Sequence, residues 1–287
     1  MNHIAELKLH QYMTDAVNGK STMSDEIIHQ VADDIKDALQ RQFGGKVKRK
    51  DFTLRMSNVG RPTCQLWYEK NKPETALPKS NNFMMNMMLG DIVEAVFKGI
   101  LKAAKVEYEE SDTVTLKCKD AEVSGSYDLV IDGAVDDVKS ASDWSYRNKF
   151  ESFETVKDGD GFGYVGQLAG YAKAANKKVG GWWVINKANG HFKYVSAEGL
   201  NLKEEIAKIE DTVTAISNNK FERCFEPEEE TFRGKPTGNK VLNINCKFCD
   251  YRYDCWNLTD KPAVMSKAQT PKIVSYIDFV DNVSSQN

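Results

Sequence analysis

Apolar residues recur at helical spacing in several stretches of the chain. After Ser24-Asp25-Glu26, a typical helix start, apolar side chains follow at intervals of three and four residues until Gly44-Gly45, which predicts an amphipathic helix. The stretch from Phe83 to Ala104 predicts a long helix with much of its surface buried, in which the methionines serve packing. Similar patterns predict helices near Tyr164 to Ala175 and over Leu202 to Ile216.

An alternating pattern, typical of strands, occupies the middle of the chain. It predicts strands at Val114 to Cys118, Glu122 to Ile131, Ala134 to Ser140, Gly181 to Asn186 and His191 to Val195. Asp132-Gly133 and Asn189-Gly190 are predicted turns, and Glu226 to Gly238 a polar loop. This order of elements predicts an α/β fold with a mixed sheet flanked by helices.

Composition narrows the class of protein. The chain has 287 residues and 41% hydrophobic content, enough for a sizeable core. It has no apolar run of membrane-spanning length and no signal-peptide core, so we expect a cytoplasmic protein without membrane contact. In that setting the six cysteines are expected to be reduced thiols or metal ligands.

The net charge of −3 excludes a globally basic nucleic-acid binder but allows a local basic groove. The densest basic run contains Lys46, Lys48, Arg49 and Lys50. It has two interpretations, a solvated loop or a stretch that contacts phosphates.

The candidate chemistry lies on the predicted strands around the Asp132-Gly133 turn. Asp137 and Lys139 are two apart on one strand, so their side chains project from the same face, and the hairpin can bring Asp128 alongside them. Carboxylates of this kind bind Mg²⁺ or Mn²⁺, and a lysine can stabilise charge on a phosphate. D-x-K alone is a weak signal, because exposed strands often alternate acid and base.

Three further residues strengthen the signal. Glu94 lies on the predicted upstream helix, and Gln167 and Tyr171 are four apart on a later helix, which directs them to one side. The ordered motifs Gly90-Asp91-Ile92-Val93-Glu94, Gly125-Ser126-Tyr127-Asp128, Asp137-Val138-Lys139 and Gln167 to Tyr171 resemble those of the RecB-like branch of the PD-(D/E)XK nucleases.

The resemblance implies a restriction-endonuclease-like core with a mixed central sheet. It implies metal ligation by Glu94, Asp128, Asp137 and the Val138 carbonyl, and catalysis by Lys139. Gln167 and Tyr171 are expected to contact DNA or support the active site. Many iron–sulfur members of the family carry His where this chain has Glu94, a difference that bears on metal preference.

Four cysteines form a second candidate site. Cys64 stands alone, whereas Cys246, Cys249 and Cys255 form C-x2-C-x5-C. Four thiolates suit zinc or an iron–sulfur cluster, although a zinc ribbon usually supplies two C-x2-C pairs. The arrangement is similar to that of [4Fe–4S] nucleases such as the CRISPR-associated exonucleases and the AddB-type nuclease domains, which implies a cluster joining the N- and C-terminal segments; structural Zn²⁺ is the alternative. Cys118 and Cys224 are interpreted as ordinary residues.

The sequence thus predicts three segments: a helical segment at 1–45, the nuclease core with its cluster-binding ends at 46–259, and a tail at 260–287. The activity that the resemblance implies is that of a Mg²⁺- or Mn²⁺-dependent DNA exonuclease acting on single-stranded or frayed ends in recombination, repair, or phage or CRISPR DNA processing. The expected setting is the cytoplasm of a bacterium or of a phage-infected host cell. The alternative is a non-catalytic DNA-end-binding or assembly subunit. Since the sequence contains no P-loop, any helicase or recombination motor would be a partner.

Overall fold

A computed structural model describes residues 3–44, 52–158, 160–263, 266 and 268–280. The basic run Lys46 to Lys50 lies outside the described residues. The helices are α1 Ile4–Val17, α2 Asp25–Phe43, α3 Met56–Val59, α4 Thr63–Asn71, α5 Phe83–Ala103, α6 Phe153–Asp158, α7 Tyr164–Ala175, α8 Leu202–Ser217, α9 Ile244–Lys247 and α10 Arg252–Cys255. A 3-10 turn spans Pro73–Thr75, and a π-helical turn spans Ser145–Lys149.

The strands are β1 Thr113–Lys117, β2 Glu122–Ser126, β3 Leu129–Ile131, β4 Ala134–Ala141, β5 Lys178–Asn186, β6 Phe192–Ser196, β7 Glu228–Phe232, β8 Lys235–Val241, β9 Thr259–Pro262 and β10 Ile273–Asp278. Helices and strands form two compact units. Unit 1 consists of the described parts of Met1–Arg61 and Lys79–Ser217, and unit 2 of Pro62–Pro78 and the described parts of Asn218–Asn287.

Unit 1 contains a mixed four-stranded sheet in the order β3-β4-β5-β6. β4 and β5 are parallel, and the outer pairs are antiparallel. β1 and β2 form a separate antiparallel pair. The mixed α/β class is therefore confirmed, but the prediction of one strand from Glu122 to Ile131 is wrong, because the chain changes sheets at Tyr127 and Asp128.

Helices cover both faces of this sheet. Trp182 and Trp183 are consecutive on β5 and fully buried, so they point to opposite faces. Trp182 packs in a cluster with Leu168 of α7 and Ile209 of α8. Trp183 packs in a second cluster whose other members include residues of α1 and α5, such as Leu9, Phe97 and Leu101.

The local chemistry of the predicted elements is largely confirmed. Ser24 caps α2 by accepting a hydrogen bond from the Ile27 N–H. Asp132 and Gly133 both have positive φ, 51° and 74°, as a tight type I′ hairpin requires. The first turns of α5 differ from the prediction, because Met85 and Met87 are 50% and 44% exposed and burial begins at Ala95.

Unit 2 combines α4 with a four-stranded sheet in the order β7-β8-β10-β9. The predicted polar loop from Glu226 to Gly238 is wrong, since β7 and part of β8 lie there, joined by Arg233-Gly234 with both φ angles positive. The Glu230 carboxylate is enclosed by Thr237, Asn239 and Tyr276, which all donate to it. Among the described helices of both units, none is long and apolar enough to cross a membrane.

Candidate functional site

The break between β2 and β3 places Asp128 against the next strand. Asp128 Oδ2 accepts a hydrogen bond of 2.7 Å from the Val138 N–H. Val138 lies on β4 between Asp137 and Lys139. The contact therefore joins the two predicted motifs G-x-x-D and D-x-K through the backbone.

Alternation along β4 separates three consecutive side chains. Asp137 and Lys139 share a face, and Lys139 Nζ lies 2.5 Å from Asp137 Oδ2. Asp136 points to the other face, where its carboxylate accepts hydrogen bonds from Gly181 N, Trp183 Nε1 and Tyr194 OH. Asp136 is thus held by three hydrogen-bond donors, and Asp137 by the ammonium group of Lys139.

Glu94 of α5 and the pair on α7 adjoin the same carboxylates. Glu94 Oε1 lies 2.6 Å from Lys98 Nζ one turn later. Gln167 Nε2 lies 3.5 Å from Tyr171 OH, so their predicted common face is confirmed. A Cβ on Gly125 would lie 2.8 Å from Met56 Cβ and 3.0 Å from the Tyr171 ring, which explains why the motif has glycine there.

Burial and like charge raise the pKa of the acids. Burial, and then the neighbouring Asp137 carboxylate, raise the pKa of Asp128 to about 6. The pKa of Asp137 is also raised, by burial against the opposing effect of Lys139. Burial followed by the charge of Asp128 raises the pKa of Glu94. These mutual effects place Glu94, Asp128 and Asp137 within one electrostatic site.

Lys139 carries the positive charge of this site. Burial alone would lower the pKa of Lys139, but the Asp137 and Asp128 carboxylates outweigh it and raise the pKa above its ordinary value. The ammonium therefore stays protonated at neutral pH. In this state it can stabilise negative charge but cannot accept a proton.

The acids have the chemistry of a divalent-cation site, but their side chains are engaged with internal partners. Within the described residues, no three or more His, Cys, Asp and Glu side chains are arranged to hold a metal ion. Asp137 Oδ2 is nevertheless buried and, apart from its ion pair with Lys139, makes no hydrogen bond of ordinary geometry. Carboxylate oxygens are hard donors of the kind that Mg²⁺ and Mn²⁺ prefer, and a metal ion here would take a position beside or in place of the Lys139 ammonium at Asp137 Oδ2.

Two residues of this site were missed by the sequence interpretation. Tyr164 begins α7, and Lys139 Nζ lies 5.0 Å from the centre of its ring. Lys149 ends the π-helical turn, and its Nζ lies 4.5 Å from the centre of the same ring. Neither residue belongs to a motif, and their proximity depends on how the loop after β4 folds back.

Cys64 and the C-terminal triplet all lie within unit 2. Their segments contact each other, for example through the Lys72–Asp254 ion pair. The Tyr68 and Tyr251 rings stack at 5.3 Å with an angle of 17° between their planes. Tyr68 also contacts Phe221, which packs on Trp67. These rings pack on one another.

Cys224 was interpreted from the sequence as an ordinary residue, but it contacts the first ligand candidate. Its sulfur accepts a hydrogen bond of 3.2 Å from the Cys64 N–H and lies 3.3 Å from Thr63 Oγ1. Hydrogen bonding with the Cys64 thiol lowers the pKa of Cys224 to about 6 and raises that of Cys64. Cys118, by contrast, is half-buried against the core of unit 1, in agreement with its interpretation.

Cys246 lies on α9 and Cys255 ends α10, while Cys249 lies between these two short helices. The Cys249 N–H donates to the Cys246 carbonyl at 3.1 Å, and Arg223 Nη2 donates to the Cys255 carbonyl at 2.7 Å. Burial raises the pKa of Cys246 to about 11, and Cys249, Cys255 and Cys224 act in the same direction. The cysteines are free thiols, and thiolates are the donors that zinc and iron–sulfur clusters prefer, but no three of them among the described residues are arranged to hold a metal ion.

Comparison with known proteins adds little to this geometry. No protein-family model matches the chain, and no curated protein matches it. A solved structure described as "Crystal structure of SSO0001" is similar to it with a TM-score of 0.44 and 14% sequence identity, over 77% of this chain and 93% of that chain. At this level the likeness carries no function, which has to be inferred from the chemistry of the site itself.

Proposed function

We propose that this chain is a Mg²⁺- or Mn²⁺-dependent deoxyribonuclease with a PD-(D/E)XK core, acting as an exonuclease on single-stranded or frayed DNA ends. The observation that supports it best is the contact of Asp128 with the Val138 N–H beside the Asp137–Lys139 ion pair. Two carboxylates and a charged lysine are thereby held side by side. That combination suits the hydrolysis of a phosphodiester better than a structural role, because burying it carries a cost in stability.

In this proposal Glu94, Asp128, Asp137 and the Val138 carbonyl would hold the metal ion. When bound, the ion supplies an acidified water and neutralises charge on the phosphate. The Lys139 ammonium, which the two carboxylates keep protonated, stabilises the charge that develops on the scissile phosphate. Gln167 and Tyr171 support the carboxylate face from α7.

The cysteines belong to a separate part of the proposal. Cys64, Cys246, Cys249 and Cys255 would hold a [4Fe–4S] cluster, with structural Zn²⁺ as the alternative. Such a group would tie segments that are far apart in sequence, which restricts the unfolded chain and stabilises unit 2. It would take no part in the hydrolysis.

The test measures the cleavage of two end-labelled substrates, a single-stranded DNA and a blunt-ended duplex, in the presence of Mg²⁺ or Mn²⁺. Asp128→Ala and Lys139→Ala should abolish the cleavage that the unchanged protein shows. Lys178→Ala is the matched control, because Lys178 is an exposed lysine at the start of β5. If both site variants cleave as fast as the unchanged protein, the proposed activity is wrong.

A second function, a non-catalytic DNA-end-binding or assembly subunit, is favoured by one observation. Glu94 and Asp137 form ion pairs with lysines, and Asp128 accepts a backbone N–H. Among the described residues, no three acidic side chains are arranged to hold a metal ion. Such a protein would bind DNA ends for a helicase or recombination partner. Tight binding of single-stranded DNA without any metal-dependent turnover, in the same assay, would support this function over the first.

A further inference from the structure

Three aromatic rings form a continuous stack next to the candidate catalytic lysine in unit 1. Phe150 and Tyr164 stack at 5.8 Å with 25° between their planes, and Tyr164 and Phe162 at 5.6 Å with 14°. Phe150 is 3% exposed and belongs to the core, whereas Phe162 is 60% exposed. The Tyr164 ring stack, Phe150, Tyr164 and Phe162, therefore runs from the core to the surface.

Two ammonium groups lie beside this stack. Lys139 Nζ is 5.0 Å from the centre of the Tyr164 ring. Lys149 Nζ is 4.5 Å from the centre of the Tyr164 ring and 4.9 Å from that of Phe162. The stack thus links the candidate phosphate-cleaving lysine to a second lysine near an exposed ring.

The backbone around Phe162 is held in place. The Tyr164 and Val165 N–H groups donate to the two Asp160 carboxylate oxygens, each at 2.8 Å. Gly163 has φ 78°, and a Cβ there would lie 2.4 Å from the Gly60 carbonyl carbon, so the loop packs tightly against that segment. A ligand that binds the Phe162 ring therefore has to order little of the loop, so the entropic cost of binding is small.

We propose that the exposed ring of Phe162 stacks on an unpaired base of single-stranded DNA, while Lys149 contacts the adjoining phosphate. The proposal rests on the proposed nuclease function and names the part of its substrate that this surface takes. A flat exposed ring with a cation beside it matches an unpaired base joined to a phosphate. In a duplex the bases are already stacked, so double-stranded DNA would not use this surface.

The test measures binding of fluorescein-labelled oligothymidylate and of an abasic oligonucleotide of the same length, by anisotropy in EDTA at low salt. Phe162→Ala should weaken binding of oligothymidylate about tenfold. It should leave binding of the abasic strand unchanged, because that strand keeps the phosphates and lacks the bases. Lys149→Gln should weaken binding of both strands and lower the salt dependence of each.

Two further substitutions separate stacking from general apolar contact. Phe162→Trp should keep the affinity for oligothymidylate, and Phe162→Leu should lose it, although both keep an apolar side chain. Phe232→Ala is the control in unit 2, where Phe232 is 37% exposed and the Arg233 guanidinium lies over its ring at 5.4 Å. It should change neither affinity. Thermal melting of each variant checks that it is folded.

The proposal is overturned if Phe162→Ala leaves the affinity for oligothymidylate unchanged, or if it weakens binding of the abasic strand equally. Because EDTA removes divalent metal, binding is measured without turnover. A chain that shows the base-dependent loss but never cleaves DNA disproves the nuclease function and keeps the stacking surface. A chain that cleaves DNA but shows no base-dependent loss supports the nuclease function and disproves the stacking surface.

Discussion

Asp128 reaches β4 through the backbone, since its Oδ2 accepts the Val138 N–H at 2.7 Å. The carboxylate is thereby fixed beside Asp137, whose charge raises the free energy of the charged form of Asp128. The Lys139 ammonium offsets only part of this cost, so without a metal ion the charged Asp128 destabilises the folded protein. This destabilisation explains why stability and the proposed activity should respond in opposite directions to the same substitution.

Asp128→Asn is therefore expected to abolish metal-dependent cleavage and to stabilise the metal-free protein. The amide oxygen of the substituted side chain can still accept the Val138 N–H, but the charge is lost. At pH 8 the gain should be on the order of 1–3 kcal/mol, from the raised pKa of about 6. Urea denaturation in EDTA measures it, and a clear loss of stability would contradict this account.

Lys139→Ala is expected to act in the other sense and lower both activity and stability. Asp137 would be left buried without its ion partner, a change that costs about 3–5 kcal/mol. Loss of a charge-stabilising group should lower the cleavage rate by about 100-fold or more. The double variant Asp137→Asn with Lys139→Met should recover much of the stability and none of the activity. Single-turnover cleavage measures the activity and urea denaturation the stability; a double variant as unstable as Lys139→Ala would contradict this account.

Much of this arrangement could be predicted from the sequence, because it depends on local pattern. The Ser24 cap, the hairpin at Asp132-Gly133 and the shared face of Gln167 and Tyr171 each follow from residues a few positions apart. The end of β2 before Asp128 does not, since alternation identifies extended backbone but not the partner strand. That break determines how Asp128 reaches Val138.

The missed features leave no local hydrophobic pattern. β7 has the composition of a polar loop because none of its residues is buried, and its backbone is held instead by pairing with β8. Lys149 meets the Tyr164 ring, and Cys224 meets Cys64, only after segments distant in sequence fold together. Neither contact has a spacing that a single sequence could reveal.

Asp136 should make the stability of the metal-free protein depend on pH. Burial raises its pKa from 3.8 to about 7, in spite of its three hydrogen-bond donors. The folded protein therefore keeps a proton that the unfolded chain releases, so stability should fall as the pH rises from about 4 to about 7. The raised pKa of Asp128 acts in the same direction. Urea midpoints across this range should change less in Asp136→Asn, and an identical slope in both proteins would refute the assignment to Asp136.

The cysteine site makes a prediction that is independent of catalysis. Protein purified without oxygen should be brown and carry about four iron atoms per chain, as one [4Fe–4S] cluster requires. Serine at Cys64, Cys246, Cys249 or Cys255 should remove the iron and destabilise unit 2, because the tie between its distant segments is lost.

Two variants are controls for that experiment. Cys118→Ser, in unit 1, should keep the full iron content. Cys224→Ser should also keep it, because Cys224 lies outside the C-x2-C-x5-C set and its sulfur accepts the Cys64 N–H. Loss of iron in Cys224→Ser with retention in Cys64→Ser would assign the fourth ligand to Cys224. Colourless protein with one zinc ion per chain would show that the cysteines hold structural zinc and not an iron–sulfur cluster. The proposed role of the carboxylates and Lys139 in unit 1 would be unaffected.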